Sequence, residues 1–120
     1  MDSRGEAGFL AVNTAKLEWV EDTDVLKLPK GIQVKILVND TARNLRAMLV
    51  KFPAGYHEPA HVHAGTHALT VLEGKQIVKG VVLERGDFCY GPDGEEHGPF
   101  EYPEVCVIFA VFQGDTVHRY

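Results

Sequence analysis

Four of the six histidines in this chain, His61, His63, His67 and His97, fall into a spaced set over Gly55–Gly74 and the later segment GPDGEEHG. At neutral pH an imidazole is an uncharged nitrogen donor that suits divalent transition metals. Residues two apart on a strand project to one face, so His61 and His63 form a strand-borne pair. His67 keeps the same parity, but Ala64-Gly65-Thr66 reads as a turn. That turn would start a second strand at His67 and aim it back at the pair across a hairpin. His97 arrives from a distant segment, as closure of a fold around an ion requires. The four are therefore candidate ligands of one divalent transition metal, and imidazole donors alone suit Fe(II), Zn, Ni or Cu.

Proton transfer at such a site needs a further group. His57, Tyr90 and Glu96 are the candidate catalytic residues, with Glu58 beside them in sequence. Each has a plainer reading. His57 is separated from His61 by Pro59, Glu58 and Glu96 flank turns and read as solvated, and Tyr90 reads as packing with its hydroxyl satisfied. His118 reads as a surface residue. Cys89 and Cys106 lie in apolar strand-like runs and have no CxxC spacing, so both read as small buried hydrophobes. A disulfide between them requires neighbouring strands.

The elements that must position these side chains are strands. Leu17–Thr23 and Asn44–Phe52 read as strands, and in Gly31–Val38 the residues Ile32, Val34, Ile36 and Val38 share one face. Short apolar runs follow at Ala68–Leu72, Gln76–Val78, Val81–Leu83, Phe88–Tyr90 and Val105–Gln113. Gly74, Gly80, Gly86, Gly91 and Gly94 mark turns between them. No window sustains a helical period with start and stop signals. The pattern is all-β, a single barrel domain over residues 1–120. Met48, Val50, Leu69, Val71, Phe88, Tyr90, Val107 and Phe109 are candidate wall residues.

With 120 residues and 45% apolar content, the chain has material for one core and no need of disulfides. A formal net charge of -5 argues against nucleic acid or acidic membranes as partners. The short apolar run Phe9–Val12 behind an acidic start does not make a signal peptide, and no segment is long enough to span a bilayer. The chain reads as cytoplasmic.

The two histidine segments resemble the signature motifs of the cupins. Gly55, His61, His63 and Gly74 match the first, with His67 where that motif has Glu. Gly86, Pro92, Gly94 and His97 match the second, with Glu101 where it has Asn. The resemblance covers residues 55–74 and 86–101 and implies a double-stranded β-helix, or jelly-roll barrel, with metal inside one mouth and often a homodimer. Within the cupins the blocks FPAGYHEPAHVHAGTHALTVLEG and LERGDFCYGPDGEEHGPF look most like the acetylacetone- and hydroxyacetophenone-cleaving dioxygenases, and like the cupin domain of zinc-binding anti-sigma factors. The acetylacetone-cleaving type has an all-histidine iron site, which implies Fe(II) here, with Zn, Ni or Mn as alternatives. An all-histidine set leaves the full +2 charge on the ion, favouring an anionic or enolisable small molecule. The expected activity is oxygenative cleavage of a small diketone or hydroxyketone. A zinc sensor or binding module is the alternative, and a metal-free sugar epimerase is disfavoured because it needs no full ligand set.

Overall fold

A computed structural model describes residues 8–21 and 31–119, without the side chains of 63–64 and 115–119. The larger of two antiparallel sheets runs β1 (Val20–Glu21), β2 (Gln33–Asp40), β3 (Leu45–Phe52), β11 (Cys106–Arg119), β5 (His61–Glu73), β8 (Phe88–Gly91). The short β9 (Glu96–His97) also pairs with β5. The smaller sheet runs β4 (Tyr56–Glu58), β10 (Phe100–Tyr102), β6 (Gln76–Val78), β7 (Val81–Leu83). One core lies between the sheets. Val34, Met48, Val71 and Ile108 enter it from the larger sheet, and Leu83, Phe100 and Tyr102 from the smaller. This is the all-β jelly-roll barrel that the sequence motifs imply, and no helix among the described residues is long and apolar enough to cross a membrane.

Period-two burial explains why these segments are strands. On β10, Phe100 and Tyr102 are buried while Glu101 between them is exposed. On β11, Cys106, Ile108, Ala110 and Phe112 form the inward row. Burying each large apolar side chain contributes about 1.5–3 kcal/mol, which offsets the ordering of short strands that have little stability alone. The Tyr102 ring stacks on Phe52 at 4.0 Å, and its buried hydroxyl accepts a hydrogen bond from Gln76 Nε2 at 2.9 Å. Burial pushes that hydroxyl well above its usual pKa, so it stays neutral.

The structure corrects several sequence expectations. Residues 64–66 make no turn: β5 runs unbroken from His61 to Glu73, because Gly65 and Thr66 pair in register with Gly114 and Gln113 of β11. The even row of β2 does not stay on one face. Its pairing with β3 slips between Ile36 and Val38, so Ile36 opposes the buried Met48 while Val38 opposes Ala47. Of the candidate wall residues, Met48, Val50, Leu69 and Val71 are in the core. Phe88 and Tyr90 are exposed, and Val107 and Phe109 alternate with the inward row of β11. Leu17–Thr23 yields only the two residues of β1 within the described chain, and it follows a 3-10 turn over Thr14–Lys16. Cys89 and Cys106 are free thiols, on β8 and β11 with β5 between them, so they are not on neighbouring strands.

Candidate metal centre

The long strand β5 supplies His61 at its start and His67 six positions on, both buried. The same strand recruits the third imidazole by pairing. β9 opposes its beginning, so that His97 lies across from His61, and β8 opposes its middle, so that Gly91 lies across from His67. The three rings converge inside one end of the barrel. His97 packs edge-on against His67 with centroids 4.5 Å apart, and His61 lies 6.1 Å from His97. Phe100 sits 5.9 Å from His61 and Phe112 sits 5.9 Å from His67, giving the cluster apolar walls.

Hydrogen bonds set the tautomers. His61 Nδ1 lies 3.0 Å from the Pro59 carbonyl, which can only accept, so Nδ1 carries the proton and Nε2 the lone pair. His97 Nε2 donates to the Pro92 carbonyl at 2.9 Å, which leaves the lone pair on the buried Nδ1. Such backbone anchors orient metal-binding imidazoles and raise their donor strength. Burial holds the His61 pKa below its ordinary value, partly opposed by the Pro59 carbonyl, so the ring is a neutral donor.

The expectation that Glu58 is solvated is overturned. Glu58 is buried, with a carboxylate oxygen 3.9 Å from His61 Nδ1. On β4 it shares the inward parity of Tyr56 and pairs with the buried Phe100, while His57 between them turns outward. A carboxyl group therefore stands beside the cluster, although the motif position His67 lacks its usual carboxylate. The adjacent Pro59 hid that parity in the sequence.

Gly91 shows how tightly the rings are cradled. A Cβ at this position would lie 2.6 Å from Cε1 and Nε2 of His97 and 2.9 Å from Cε1 of His67. The glycine is there to give the imidazoles room. Next to it a cavity of about 180 Å³ opens from His67 and His97 toward the surface. Cys89 and Phe100 form part of its wall, with Lys79, Tyr90, Glu95 and Glu96 among the residues nearer solvent. Sequence parity could have placed Cys89 here, since it alternates with the outward Phe88 and Tyr90. Burial pushes its thiol pKa up, against a weaker downward pull from Lys79.

The candidate residues are thus only partly assembled. His61, His67 and His97 are together, and Tyr90 and Glu96 border the cavity that His67 and His97 line. His57 is exposed, 3.8 Å from Glu101, and borders a different cavity of about 240 Å³ with Tyr56 and Tyr102. That cavity is the larger, but none of the clustered imidazoles reaches it. His63 lies on β5, opposite His118 of β11, and the side chains of both are outside the described residues.

The sequence of residues 8–116 matches the model of the ChrR cupin-like domain. The chain belongs to that cupin family. No curated protein matches it. Among solved structures it is similar to an acetylacetone dioxygenase from Acinetobacter johnsonii, at 18% identity over 95% of this chain and 78% of that one, with a TM-score of 0.68. It is also similar to KdgF from Halomonas sp., at 26% identity over 89% and 94% of the two chains, with a TM-score of 0.66. A third likeness is to the Rhodobacter sphaeroides complex of SigE with the anti-sigma ChrR, at 24% identity and a TM-score of 0.61. That match covers 82% of this cupin and 51% of the chain in the complex.

A transition metal is the usual companion of this fold, and the residues present suit one. Neutral imidazoles are borderline donors for first-row divalent ions, and the space above Gly91 is kept for them. Among the described residues no group of three His, Cys, Asp or Glu side chains is already arranged to close on an ion. His63, the remaining candidate ligand, is not among the described side chains.

Proposed function

We propose that this cupin is a mononuclear Fe(II) dioxygenase that cleaves a small enolisable carbonyl compound, with His61, His63, His67 and His97 as the metal ligands. The observation that carries the reading is a cluster of three buried imidazoles, two of which, His67 and His97, line a small cavity beside Gly91. When bound, the metal would supply Lewis acidity toward an enolate and a redox partner for O2. In the overall reaction one C–C bond of the diketone breaks, and each fragment gains one oxygen atom from O2.

The protein's own residues have separate tasks. The Pro59 and Pro92 carbonyls fix the ring orientations of His61 and His97. Phe100 and Phe112 keep water from the inner side of the cluster, which strengthens every charge interaction there. Glu58, 3.9 Å from His61, would as a carboxylate offset part of the charge of a bound divalent ion. Glu96 and Tyr90 line the cavity border, which supports them as the groups that exchange a proton with a substrate. The likeness to an acetylacetone dioxygenase supports this choice of substrate class.

The family match and the likeness to the SigE–ChrR complex favour a second reading, a zinc-holding sensor in which four ligands close the site. Elemental analysis of the purified protein, followed by O2 uptake of the Fe(II) form over a panel of β-diketones and hydroxyketones, separates the two. The dioxygenase reading expects stoichiometric O2 consumption with at least one panel member. Tightly held zinc and no uptake by the iron form across the panel would leave the sensor.

A further inference from the structure

Lys79 is the basic residue bordering the histidine cavity. It occupies, with Gly80, the two-residue turn between β6 and β7, and both have left-handed backbones with φ of 50 and 80. Such a turn favours Asn, Asp or Gly at its first position, because these tolerate positive φ and Lys does not. The residue is thus at odds with its local conformation, as residues at functional sites often are. Among the described residues no ion pair engages its ammonium. Its charge nevertheless reaches the cavity wall, where it acts on Cys89.

We infer that Lys79 is a specificity residue that binds a carboxylate on the substrate, so that the cavity takes a short monoanionic keto acid with its enolisable carbonyl toward His67 and His97. The inference rests on the dioxygenase reading above and narrows its substrate class. Charge on the remaining border argues for a monoanion. Glu95 and Glu96 also line the cavity and would repel a phosphate dianion that one ammonium cannot balance. Size argues for a short chain, since about 180 Å³ falls below the roughly 300–1,000 Å³ of pockets for drug-sized ligands. A lysine near a sheet edge can also serve only to deter edge pairing, and that role predicts no ligand discrimination.

The test uses a matched pair of ligands, 2,4-dioxopentanoate and acetylacetone, which share the diketone and differ by the carboxylate. Lys79→Asn removes the ammonium with a residue that suits the turn better, so the fold is retained, and Lys79→Arg keeps the charge. Affinities are measured by calorimetry on the Fe(II) form without O2, and kcat and KM with O2. The expected result is a Kd for 2,4-dioxopentanoate raised tenfold or more in Lys79→Asn, acetylacetone within twofold of wild type, and recovery in Lys79→Arg. The loss should appear in KM, with kcat retained. If wild type binds both ligands equally, or Lys79→Asn shifts both alike, the carboxylate role is overturned while the dioxygenase reading stands. If wild type binds neither, the carboxylate role is overturned, and the dioxygenase reading falls with it only if the iron form also takes up no O2 across the wider panel.

Discussion

Gly91 lacks a side chain because two imidazoles fill the space that one would need. Its φ is not in the left-handed region, so alanine there is a steric change and not a backbone one. Gly91→Ala should fold, displace His67 and His97, and weaken metal binding by at least about tenfold, read by competitive chelator titration. A second residue acts through charge. Glu58→Gln keeps the shape and removes the buried carboxyl group beside His61, so metal affinity should fall about 10–100-fold with little change in fold. Unchanged affinity in Glu58→Gln would mean that the carboxylate does not act on the ion. The grouping of His61, His67 and His97 was legible because histidine spacing on strands carries parity. Glu58 was not, since a three-residue strand next to a proline has too few positions to show a period.

At the scale of elements, β5 does most of the positioning, and its neighbours decide which histidines meet. The sequence suggested a break at Gly65, but pairing to β11 overrides the turn preference of Ala-Gly-Thr, because an interrupted strand would leave buried backbone groups unpaired. β9 and β10 are equally illegible from pattern alone: two and three residues long, they exist only because β5, β4 and β6 pair with them. The β5–β6 corner gives a stability prediction. Gly74 has φ +77, and a Cβ there would overlap the Val105 carbonyl oxygen. Gly74→Ala should cost roughly 1–3 kcal/mol from the conformation alone, plus the clash, visible as a lowered denaturation midpoint.

The β2–β3 corner gives a pH prediction. Asp40 accepts hydrogen bonds from the Arg43 amide at 3.1 Å and its guanidinium at 2.9 Å, and the guanidinium holds the Asp40 carboxyl below its usual pKa. A depressed carboxyl contributes stability above its unfolded-state pKa of 3.8, and the contribution is lost as pH falls through the lower folded value. Asp40→Asn should therefore lower the melting temperature at pH 7 and converge with wild type near the acid limit. A constant difference across pH would show that the charge is not involved.

For the whole molecule, the barrel follows from composition and turn spacing, and the motif resemblance narrowed it to the cupin family before any contact was known. The substrate was not legible at that level, because cupins keep the barrel and change the residues around its mouth. Lys79 and Glu95 come from turns that pattern reading passes over. The central claim is that one divalent metal sits in the histidine cluster, and elemental analysis of purified protein tests it most directly. Wild type should hold about one equivalent of transition metal per chain, His97→Ala little, and His67→Ala and His63→Ala should lose it to a similar degree. Full metal content in His97→Ala, or none in wild type after reconstitution with Fe(II) or Zn, would contradict the account.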